Sequence, residues 1–336
     1  MKSIKINDKT VGDGNPTYII AEIGINHNGD VGLAKEMVQA AWESGADAVK
    51  IQTFITKEFL HLSHPGFQYD IEAEISHEDE QEIWDFAKKG SINLFSTPEE
   101  FKSLSFIKNQ NPHLIKIAAM DFNYEDLIRG AALLMKPIIL SSGMSTMEEV
   151  NQTIKWVEET GNDDYIILHC TSCYPAMPES CNLKAIQSMK KDLDCPIGYS
   201  DHTIGIQIPL AAVTLGANLI EKHFTIDKLL PGPDQKCSMN PKDLKCLLNN
   251  IRDIEQALGH GRKEPAPEES SPRIYKRRGI YAARDLNAGT MLKKEDVLFF
   301  APSSENSRVT DWPILESRRT KHDIDRMDMI TLKDLE

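Results

Sequence analysis

The sequence predicts an α/β protein: a (β/α)8 TIM barrel followed by a small β-rich domain. Strand-like and helix-like segments alternate regularly over about 250 residues, which is the period and size of such a barrel. Past residue 258 the composition changes, and the following segments are short and β-rich. An open doubly wound sheet is the weaker alternative, because eight regular strand-then-helix units favour a closed barrel.

Each barrel unit is indicated by a short apolar run followed by apolar residues at helical spacing, as at Val150, Ile154 and Val157. Strands are predicted at residues 18–26, 48–54, 93–97, 114–119, 137–142, 165–170, 197–203 and 219–225. Helices are predicted at residues 32–44, 79–89, 99–108, 124–135, 146–159, 183–192, 206–216 and 241–258. The insertion at 57–77 has mixed polarity and is typical of a lid or substrate loop.

The predicted domains are a barrel at 1–258, a linker at 259–276 and a small domain at 277–336. The linker is rich in proline, glycine and charged residues. Within the small domain, β-rich pieces are expected at 279–283, 289–291 and 297–300. Because a domain of about 60 residues buries little surface alone, we expect it to pack on a barrel, its own or a partner's.

The composition excludes several classes of function. The chain has 38 Lys and Arg against 51 Asp and Glu, a net charge of −13, which argues against nucleic-acid and anionic-membrane partners. The first residues contain no apolar signal-peptide core, and no run approaches the roughly 18 apolar residues of a membrane span. Six cysteines in 336 residues do not suggest a disulfide framework, so we expect a cytoplasmic protein.

The stretches 197–203 and 219–225 each contain a short strand that is expected to stop at a histidine, and the short helix between them makes the two strands parallel neighbours. Adjacent strands lie about 4.8 Å apart, so His202 and His223 would be close enough to share one divalent ion. The alternative is a pair of core histidines with satisfied hydrogen bonds. Acidic residues crowd the same sheet edge, which favours the metal site.

Lysines in apolar strands form the second candidate feature, because buried lysines are rare unless paired. Lys50, Lys116 and Lys222 all have this context. Lys50 and Lys116, joined by Thr97 and Ser141, are what a phosphate or a phosphate-plus-carboxylate anion requires. The alternative is structural Lys–Glu pairing inside the barrel.

Taken together, the strand-end motifs resemble those of the N-acylneuraminate (sialic acid) synthase family. The matching residues are Ala21-Glu22-Ile23-Gly24-Ile25-Asn26-His27-Asn28-Gly29-Asp30, Ala46-Asp47-Ala48-Val49-Lys50-Ile51-Gln52-Thr53-Phe54, Phe95-Ser96-Thr97-Pro98, Leu140-Ser141-Ser142-Gly143-Met144, His169-Cys170-Thr171, Tyr174-Pro175, residues 198–203, residues 221–225 and Gly232-Pro233-Asp234. The resemblance spans nearly the whole chain and implies that 277–336 is an antifreeze-like (SAF) domain.

The resemblance implies a reaction in which phosphoenolpyruvate condenses with an N-acylmannosamine-type aldose to give a nonulosonic acid and phosphate. His202 and His223 then resemble the ligands of a divalent metal, most typically Mn²⁺, with Mg²⁺ or Co²⁺ possible. Residues implied to contact substrate are Lys50, Thr97, Lys116, Ser141, Ser172 and Tyr174. Residues implied to orient the sugar or move protons are Glu22, Gln52, Glu221 and Asp234. The family also implies a domain-swapped homodimer, in which the SAF domain covers the partner's barrel.

Three departures from the family pattern leave the sugar open. Ala118 and Ala119 stand shortly after Lys116, where family members often have a serine. Ser172 stands where many members have an asparagine. Ala301-Pro302-Ser303 stands where members specific for N-acetylmannosamine have an arginine followed by Pro-Gly. A diacetamido-hexose leading to legionaminic or pseudaminic acid, or a phosphorylated sugar, is therefore an alternative substrate. Two other functions stay open: a Schiff-base aldolase using Lys116 or Lys222, and a non-catalytic carbohydrate- or ice-binding protein.

Overall fold

A computed structural model describes residues 2–336 and divides the chain into two compact units, residues 1–259 and 260–336. The strands are β1 (Ile4–Ile6), β2 (Lys9–Val11), β3 (Tyr18–Gly24), β4 (Ala48–Thr53), β5 (Leu94–Pro98), β6 (Ile115–Ile117), β7 (Ile138–Ser141), β8 (Tyr165–Cys170), β9 (Ile197–Asp201), β10 (Leu219–His223), β11 (Gly279–Ala282) and β12 (Val297–Phe300). The α-helices are α1 (Val31–Glu43), α2 (Thr56–Phe59), α3 (Phe67–Ala73), α4 (His77–Lys89), α5 (Phe101–Gln110), α6 (Glu125–Ala132), α7 (Met147–Glu158), α8 (Lys184–Asp192), α9 (Gln207–Thr214), α10 (Pro241–Leu258), α11 (Ser270–Tyr275) and α12 (Trp312–Leu315).

The first unit is the predicted barrel. Its eight-stranded sheet has the order β5-β4-β3-β10-β9-β8-β7-β6, and every neighbouring pair is parallel. The strands β5 and β6 form the two ends of this order and meet at the seam of the nearly closed barrel. The (β/α)8 prediction is confirmed.

Alternation along each strand divides the core into two layers, because successive side chains point to opposite faces. Outward residues such as Ile19, Val49 and Ile117 pack with the helices in one large apolar cluster. Inward residues such as Ile20 and Phe95 form a second cluster inside the barrel.

The N-terminal hairpin of β1 and β2 was not predicted. Its residues Ile4, Ile6 and Val11 are fully buried and belong to the same cluster as the inward barrel residues. The hairpin therefore covers the end of the barrel at which the strands begin. The alternation of Ile4 and Ile6 before the Asn7-Asp8 turn was the available signal.

The predicted and observed element boundaries differ most at strand ends. β3 ends at Gly24, which has a positive φ of 56°, and β6 ends at Ile117 because the chain enters a 3₁₀ turn at Ala119–Asp121. The insertion at 57–77 is not a bare loop, since it contains most of α2 and all of α3.

The second unit begins within the predicted linker, which is partly helical rather than extended: a 3₁₀ turn at Pro267–Glu269 leads into α11. Strands β11 and β12 pair antiparallel. Within the β-rich piece expected at 289–291, Met291 forms an isolated antiparallel bridge to Arg319. This unit has its own apolar cluster, formed by Ile280, Ala282, Leu286, Leu292, Val297, Trp312, Leu315, Ile324, Ile330 and Leu335.

Across residues 2–336, none of the helices combines the length and apolar character needed to cross a membrane.

Candidate active site

A polar cavity opens at the carboxyl ends of the barrel strands, where active sites of this fold lie. We call it the mouth cavity. It is lined by Glu22, Lys50, Gln52, Thr97, Lys116, Ala118, Ala119, Ser141, Cys170, Tyr174, Ser200, His202, Glu221, His223 and Asp234. Eleven of the twelve predicted site residues are in this set, so the sequence prediction brought together side chains that the fold gathers in one place.

A buried charge network forms the floor of the mouth cavity. Lys50 Nζ lies 2.8 Å from Glu22 Oε2 and 3.0 Å from Glu221 Oε2. Lys116 Nζ lies 3.8 Å from Glu221 Oε1 and donates a 2.9 Å hydrogen bond to the Ile117 carbonyl. All four charged side chains are at most 6% exposed, so each depends on the others for compensation of its charge.

Burial and the neighbouring opposite charges act against each other on the pKa values in this network. Burial lowers the pKa of Lys50 to about 8, with Glu221 opposing that shift. For Glu221, burial opposes ionisation, but Lys116 and Lys50 outweigh it and hold the pKa at about 2. The carboxylate of Glu221 is therefore ionised at neutral pH, and it holds two ammonium groups at the cavity floor.

The histidine pair lies at the same edge of the sheet, as predicted. The ring centroids of His202 and His223 are 5.3 Å apart, and the Tyr174 ring lies 4.2 Å from His202 and 5.7 Å from His223. His202 Nδ1 donates a 2.9 Å hydrogen bond to the Thr171 carbonyl. Because a carbonyl oxygen can only accept, this bond leaves the lone pair of the neutral ring on Nε2.

Both imidazoles are held neutral. Burial, and then the charge of the neighbouring histidine, lowers the pKa of His202 to about 4, while burial and Lys50 lower that of His223 to about 3. His223 Nδ1 is buried with no hydrogen-bond partner, and it lies 3.6 Å from the Asp234 carboxylate. Burial raises the pKa of Asp234 to about 6.

Two buried hydroxyl groups line the mouth cavity without a protein partner, Thr97 Oγ1 and Ser141 Oγ. Buried polar groups in folded proteins are nearly always hydrogen-bonded, to the protein or to water or ligand. Together with the two lysines, these hydroxyls offer donors to an anion. The lysines and hydroxyls are therefore suited to bind a carboxylate or phosphate, next to the buried carboxylates of Glu22 and Glu221.

Two sequence expectations are not met. Ser172 does not line the mouth cavity; its hydroxyl packs over Gly143, 3.7 Å from Cys170 Sγ. Lys222 points to the outer side of the barrel wall, where Nζ bonds Asp201 Oδ2 at 2.5 Å and the Thr203 carbonyl at 2.6 Å. The alternation of β10 explains this, since Glu221 and His223 take the inward positions.

Sequence reasoning missed two residues that shape the site. Ser200 donates a 3.0 Å hydrogen bond to Glu221 Oε1, and its position two residues before His202 was the signal for an inward side chain. Gly24 lies so close to the site that a Cβ there would be 3.0 Å from Glu22 Oε1 and 3.3 Å from Gln52 Oε1. Its positive φ also disfavours any larger residue.

Among residues 2–336, no group of three or more His, Cys, Asp or Glu side chains is arranged to hold a metal ion. His202 and His223 are thus a pair of nitrogen donors rather than a complete ligand shell. A catalytic metal site normally leaves positions open for water or substrate.

Comparison with known proteins places the chain among sugar-acid synthases. Residues 37–263 match the NeuB family. The N,N'-diacetyllegionaminic acid synthase of Legionella pneumophila is 40% identical over 319 residues, covering 89% of this chain and 90% of that protein. The pseudaminic acid synthase of Campylobacter jejuni is 34% identical over 300 residues, covering 85% and 87%.

Solved structures agree with these relationships. The N-acetylneuraminic acid synthetase of Leptospira borgpetersenii, determined in complex with citrate, superposes with a TM-score of 0.76 at 35% identity, covering 81% of this chain and 95% of that one. The spore coat polysaccharide biosynthesis protein SpsE of Bacillus subtilis superposes with a TM-score of 0.71 at 30% identity, covering 100% and 99%.

Proposed function

The chain belongs to the NeuB family, and from that membership we propose that it condenses phosphoenolpyruvate with an N-acylmannosamine-type aldose, giving a nonulosonic acid and inorganic phosphate. The observation that carries this proposal is that Lys50 and Lys116 line the same cavity as Thr97 and Ser141, whose buried hydroxyls have no protein partner. Two ammonium groups and two hydroxyl donors suit a ligand that carries both a carboxylate and a phosphate.

The reaction needs an electrophile, a nucleophile and proton transfers that balance. The C3 carbon of phosphoenolpyruvate attacks the aldehyde carbon, and the aldehyde oxygen takes up a proton. Positive character develops at C2 and is captured by water, which releases a proton. The bond between C2 and the phosphate oxygen then breaks, and the proton of the new C2 hydroxyl leaves with phosphate.

Glu22 and Glu221 are suited to the step at C2. Both carboxylates lie on the cavity floor against Lys50, so their negative charge is fixed in place before the substrate arrives. Preorganised charge of this kind stabilises a developing cation without reorganisation. Glu22 can also accept the proton of the attacking water. Gln52 and Asp234 line the cavity and can orient the sugar.

The histidine pair supports a divalent-metal requirement. Imidazole binds metal in its neutral form. The hydrogen bond from His202 Nδ1 to the Thr171 carbonyl fixes the orientation of the ring, and hydrogen bonds of this kind hold the histidine ligands of metal sites in place. His202 and His223 would hold the ion, with Mn²⁺ preferred and Mg²⁺ or Co²⁺ as alternatives. A bound divalent ion would polarise the aldehyde oxygen.

A diacetamido-hexose is the second candidate sugar. The relative from Legionella, 40% identical, is named as a legionaminic acid synthase. In the C-terminal unit, Ala301 stands where the family resemblance leads us to expect an arginine for N-acetylmannosamine. A panel of N-acylmannosamines, their 6-phosphates and diacetamido-hexoses, each with phosphoenolpyruvate and Mn²⁺, tests the proposal by phosphate release. Phosphate release with none of them contradicts it.

The Schiff-base alternative loses Lys222, which is sealed on the outer side of the barrel against Asp201. Lys116 stays available, so borohydride treatment in the presence of pyruvate is the test. Covalent labelling at Lys116 would support an aldolase, whereas our proposal predicts no label.

We also propose that the enzyme works as a homodimer in which the C-terminal unit, as an SAF domain, covers the partner's mouth cavity. Large apolar side chains are exposed on the loops that follow the barrel strands. This apolar rim consists of Leu62, Met120, Met144, Met177, Ile204 and Leu229, which are 47% to 90% exposed. Exposed apolar patches of this kind mark contact surfaces.

The charge distribution favours a second copy as the occupant of the apolar rim. Residues 1–259 carry 23 Lys and Arg against 37 Asp and Glu, whereas residues 260–336 carry 15 against 14. A nearly neutral domain meets less repulsion at a strongly acidic barrel than a second barrel would. Sedimentation analysis tests this, since a monomer at assay concentration would contradict it.

A further inference from the structure

A further cavity lies within the C-terminal unit and has no role in the chemistry above. It encloses about 260 Å³, and three arginines line it, Arg273, Arg277 and Arg308. We call it the arginine cavity. All of its lining residues fall within residues 260–336, so one unit forms it, and none of them lines the mouth cavity.

Two segments of backbone form the sides of the arginine cavity, and hydrogen bonds join them. One side is α11 with the residues that follow it, and the other is the segment after β12. Ser303, which is 6% exposed, donates two 3.0 Å hydrogen bonds to the Ile274 carbonyl, one from its N–H and one from its hydroxyl. The Val309 N–H donates a 3.2 Å hydrogen bond to the Arg278 carbonyl. The backbone next to each of the three arginines is therefore held in place.

The three guanidinium groups lack protein partners. Across residues 2–336, the side chains of Arg273, Arg277 and Arg308 make no hydrogen bond and no ion pair. Glu305 lines the same cavity without pairing with any of them. Three arginines and one glutamate give the lining a formal charge of +2, and the like charges repel one another. All three arginines are exposed, so an anion can reach them from solvent.

The chemistry of the lining selects a phosphate group among anions. A guanidinium presents a planar fork of donors that matches phosphate and carboxylate oxygens. A phosphate monoester carries a charge of about −1.5 to −2 at pH 7, which matches the lining charge better than a single carboxylate does. The Ser304 hydroxyl accepts a 3.3 Å hydrogen bond from the Asn306 N–H, which leaves its own proton free for a ligand oxygen.

The size of the cavity limits the ligand. Its volume of about 260 Å³ is below the roughly 300–1,000 Å³ of sites that enclose drug-sized molecules. Inorganic phosphate or a small phosphate ester fits this space.

We propose that the arginine cavity binds a phosphate group, as inorganic phosphate or on a small ester. Arg273 and Arg277 would donate hydrogen bonds to it from the side of α11, and Arg308 from the opposite side. The phosphate would neutralise the three arginines and link the two segments. This inference goes beyond the proposed function, because it concerns a site that shares no residue with the mouth cavity.

The test measures binding of ³²P-labelled inorganic phosphate to the full chain by equilibrium dialysis at low ionic strength. Arg273→Gln, Arg277→Gln and Arg308→Gln each remove one guanidinium from the cavity. Arg278→Gln is the matched control: it makes the same change of charge, but Arg278 donates a 3.4 Å hydrogen bond to the Phe299 carbonyl and does not line the cavity. Lys50→Met reports any phosphate that binds in the mouth cavity.

Each of the three cavity variants is expected to weaken phosphate binding by roughly ten- to a hundredfold, the effect of losing a hydrogen bond to a charged group. Arg278→Gln should bind as the wild type does, and Lys50→Met should keep the phosphate of the arginine cavity. Arg308→Lys should restore only part of the affinity, because an ammonium group lacks the planar fork. A small phosphate ester such as glycerol phosphate should displace the label, and the tighter competitor identifies which form the cavity prefers.

A second measurement locates the phosphate in the wild-type protein. Phenylglyoxal modifies exposed arginines, and peptide mass spectrometry identifies the modified positions. Phosphate should protect Arg273, Arg277 and Arg308 from modification. Arg318 and Arg326, which are also exposed but lie outside the cavity lining, should be modified at the same rate with and without phosphate.

Four results overturn the inference. Wild-type phosphate binding in the cavity variants, with binding lost in Lys50→Met, would place phosphate in the mouth cavity alone. Equal weakening by Arg278→Gln and Arg308→Gln would mean that phosphate responds to diffuse surface charge. Displacement of the label by malonate as readily as by glycerol phosphate would refute the selection of phosphate over carboxylate. Cavity variants that bind phosphate normally but dissociate in sedimentation experiments would assign the arginines to acidic side chains of a second copy.

Discussion

Replacing Lys50 with methionine removes the ammonium group that lies 2.8 Å from Glu22 Oε2 and 3.0 Å from Glu221 Oε2. Two carboxylates then remain buried with only Lys116 nearby, 3.8 Å from Glu221. Breaking a buried ion pair by removing one partner costs about 3–5 kcal/mol. Losing a charge-assisted hydrogen bond to the substrate adds a roughly ten- to a hundredfold rise in the KM of phosphoenolpyruvate.

The assay separates these two effects with a matched control. Lys222→Met also breaks a fully buried pair, the bond from Lys222 to Asp201, but on the outer side of the barrel. Both variants should unfold at lower denaturant concentration than the wild type. Only Lys50→Met should raise the KM of phosphoenolpyruvate in the phosphate-release assay.

The reasoning fails if Lys50→Met and Lys222→Met give the same KM for phosphoenolpyruvate. That result would mean that Lys50 acts only as a structural counter-ion for Glu22 and Glu221. Unchanged stability of Lys50→Met would refute the buried charge network itself.

Further predictions concern the metal, pH and assembly. His202→Ala and His223→Ala should each abolish Mn²⁺-dependent phosphate release, and calorimetry should show that each variant binds Mn²⁺ more weakly than the wild type. Metal-dependent turnover equal to that of the wild type in either variant rules out the metal role. Because burial lowers the pKa of Lys50 to about 8, its ammonium group loses a proton above that pH, and the KM of phosphoenolpyruvate should then rise. A KM of phosphoenolpyruvate that stays constant between about pH 7 and 9 would count against Lys50 as an anion contact. Burial raises the pKa of Glu80 from 4.5 to about 7, so between these pH values the folded protein holds a proton that the unfolded chain releases. The free energy of unfolding should therefore fall by about 3 kcal/mol as pH rises through that range. Glu80→Gln should remove this fall in denaturation experiments, and an unchanged pH dependence of stability would refute the assignment. Leu229→Glu should weaken the dimer in sedimentation experiments because Leu229 is 90% exposed on the apolar rim, and a variant that dimerises like wild type would place the interface elsewhere.

The barrel could be predicted from the sequence because its signal is local and repeated. Each strand is a short apolar run, and each helix has apolar residues at regular spacing, so single errors do not disturb the count. β8 and α10 were placed at their observed ends. The ends of the strands were harder to predict. β3 ends at Gly24, which has a positive φ, and β6 ends shortly before the 3₁₀ turn that begins at Ala119, and a hydrophobic pattern reports neither backbone feature.

The cavity residues were largely predictable because strand C-termini converge in a parallel barrel. Lys222 marks the limit of this prediction, because a position near a strand end does not determine whether a side chain points into or out of the barrel. Side chains alternate along β10, so Lys222 points outward when its neighbour Glu221 points inward. Ser172 lies past the end of β8, where alternation no longer applies.

The most direct measurement of the central claim uses phosphoenolpyruvate labelled with ¹⁸O at the oxygen that bridges C2 and phosphorus. With Mn²⁺ and an accepted aldose, condensation at C3 and loss of phosphate from C2 should transfer all of the label into inorganic phosphate. Label retained in the organic product would mean that the phosphorus–oxygen bond breaks instead. That result would contradict the mechanism proposed for the cavity formed by Lys50, Glu22 and Glu221.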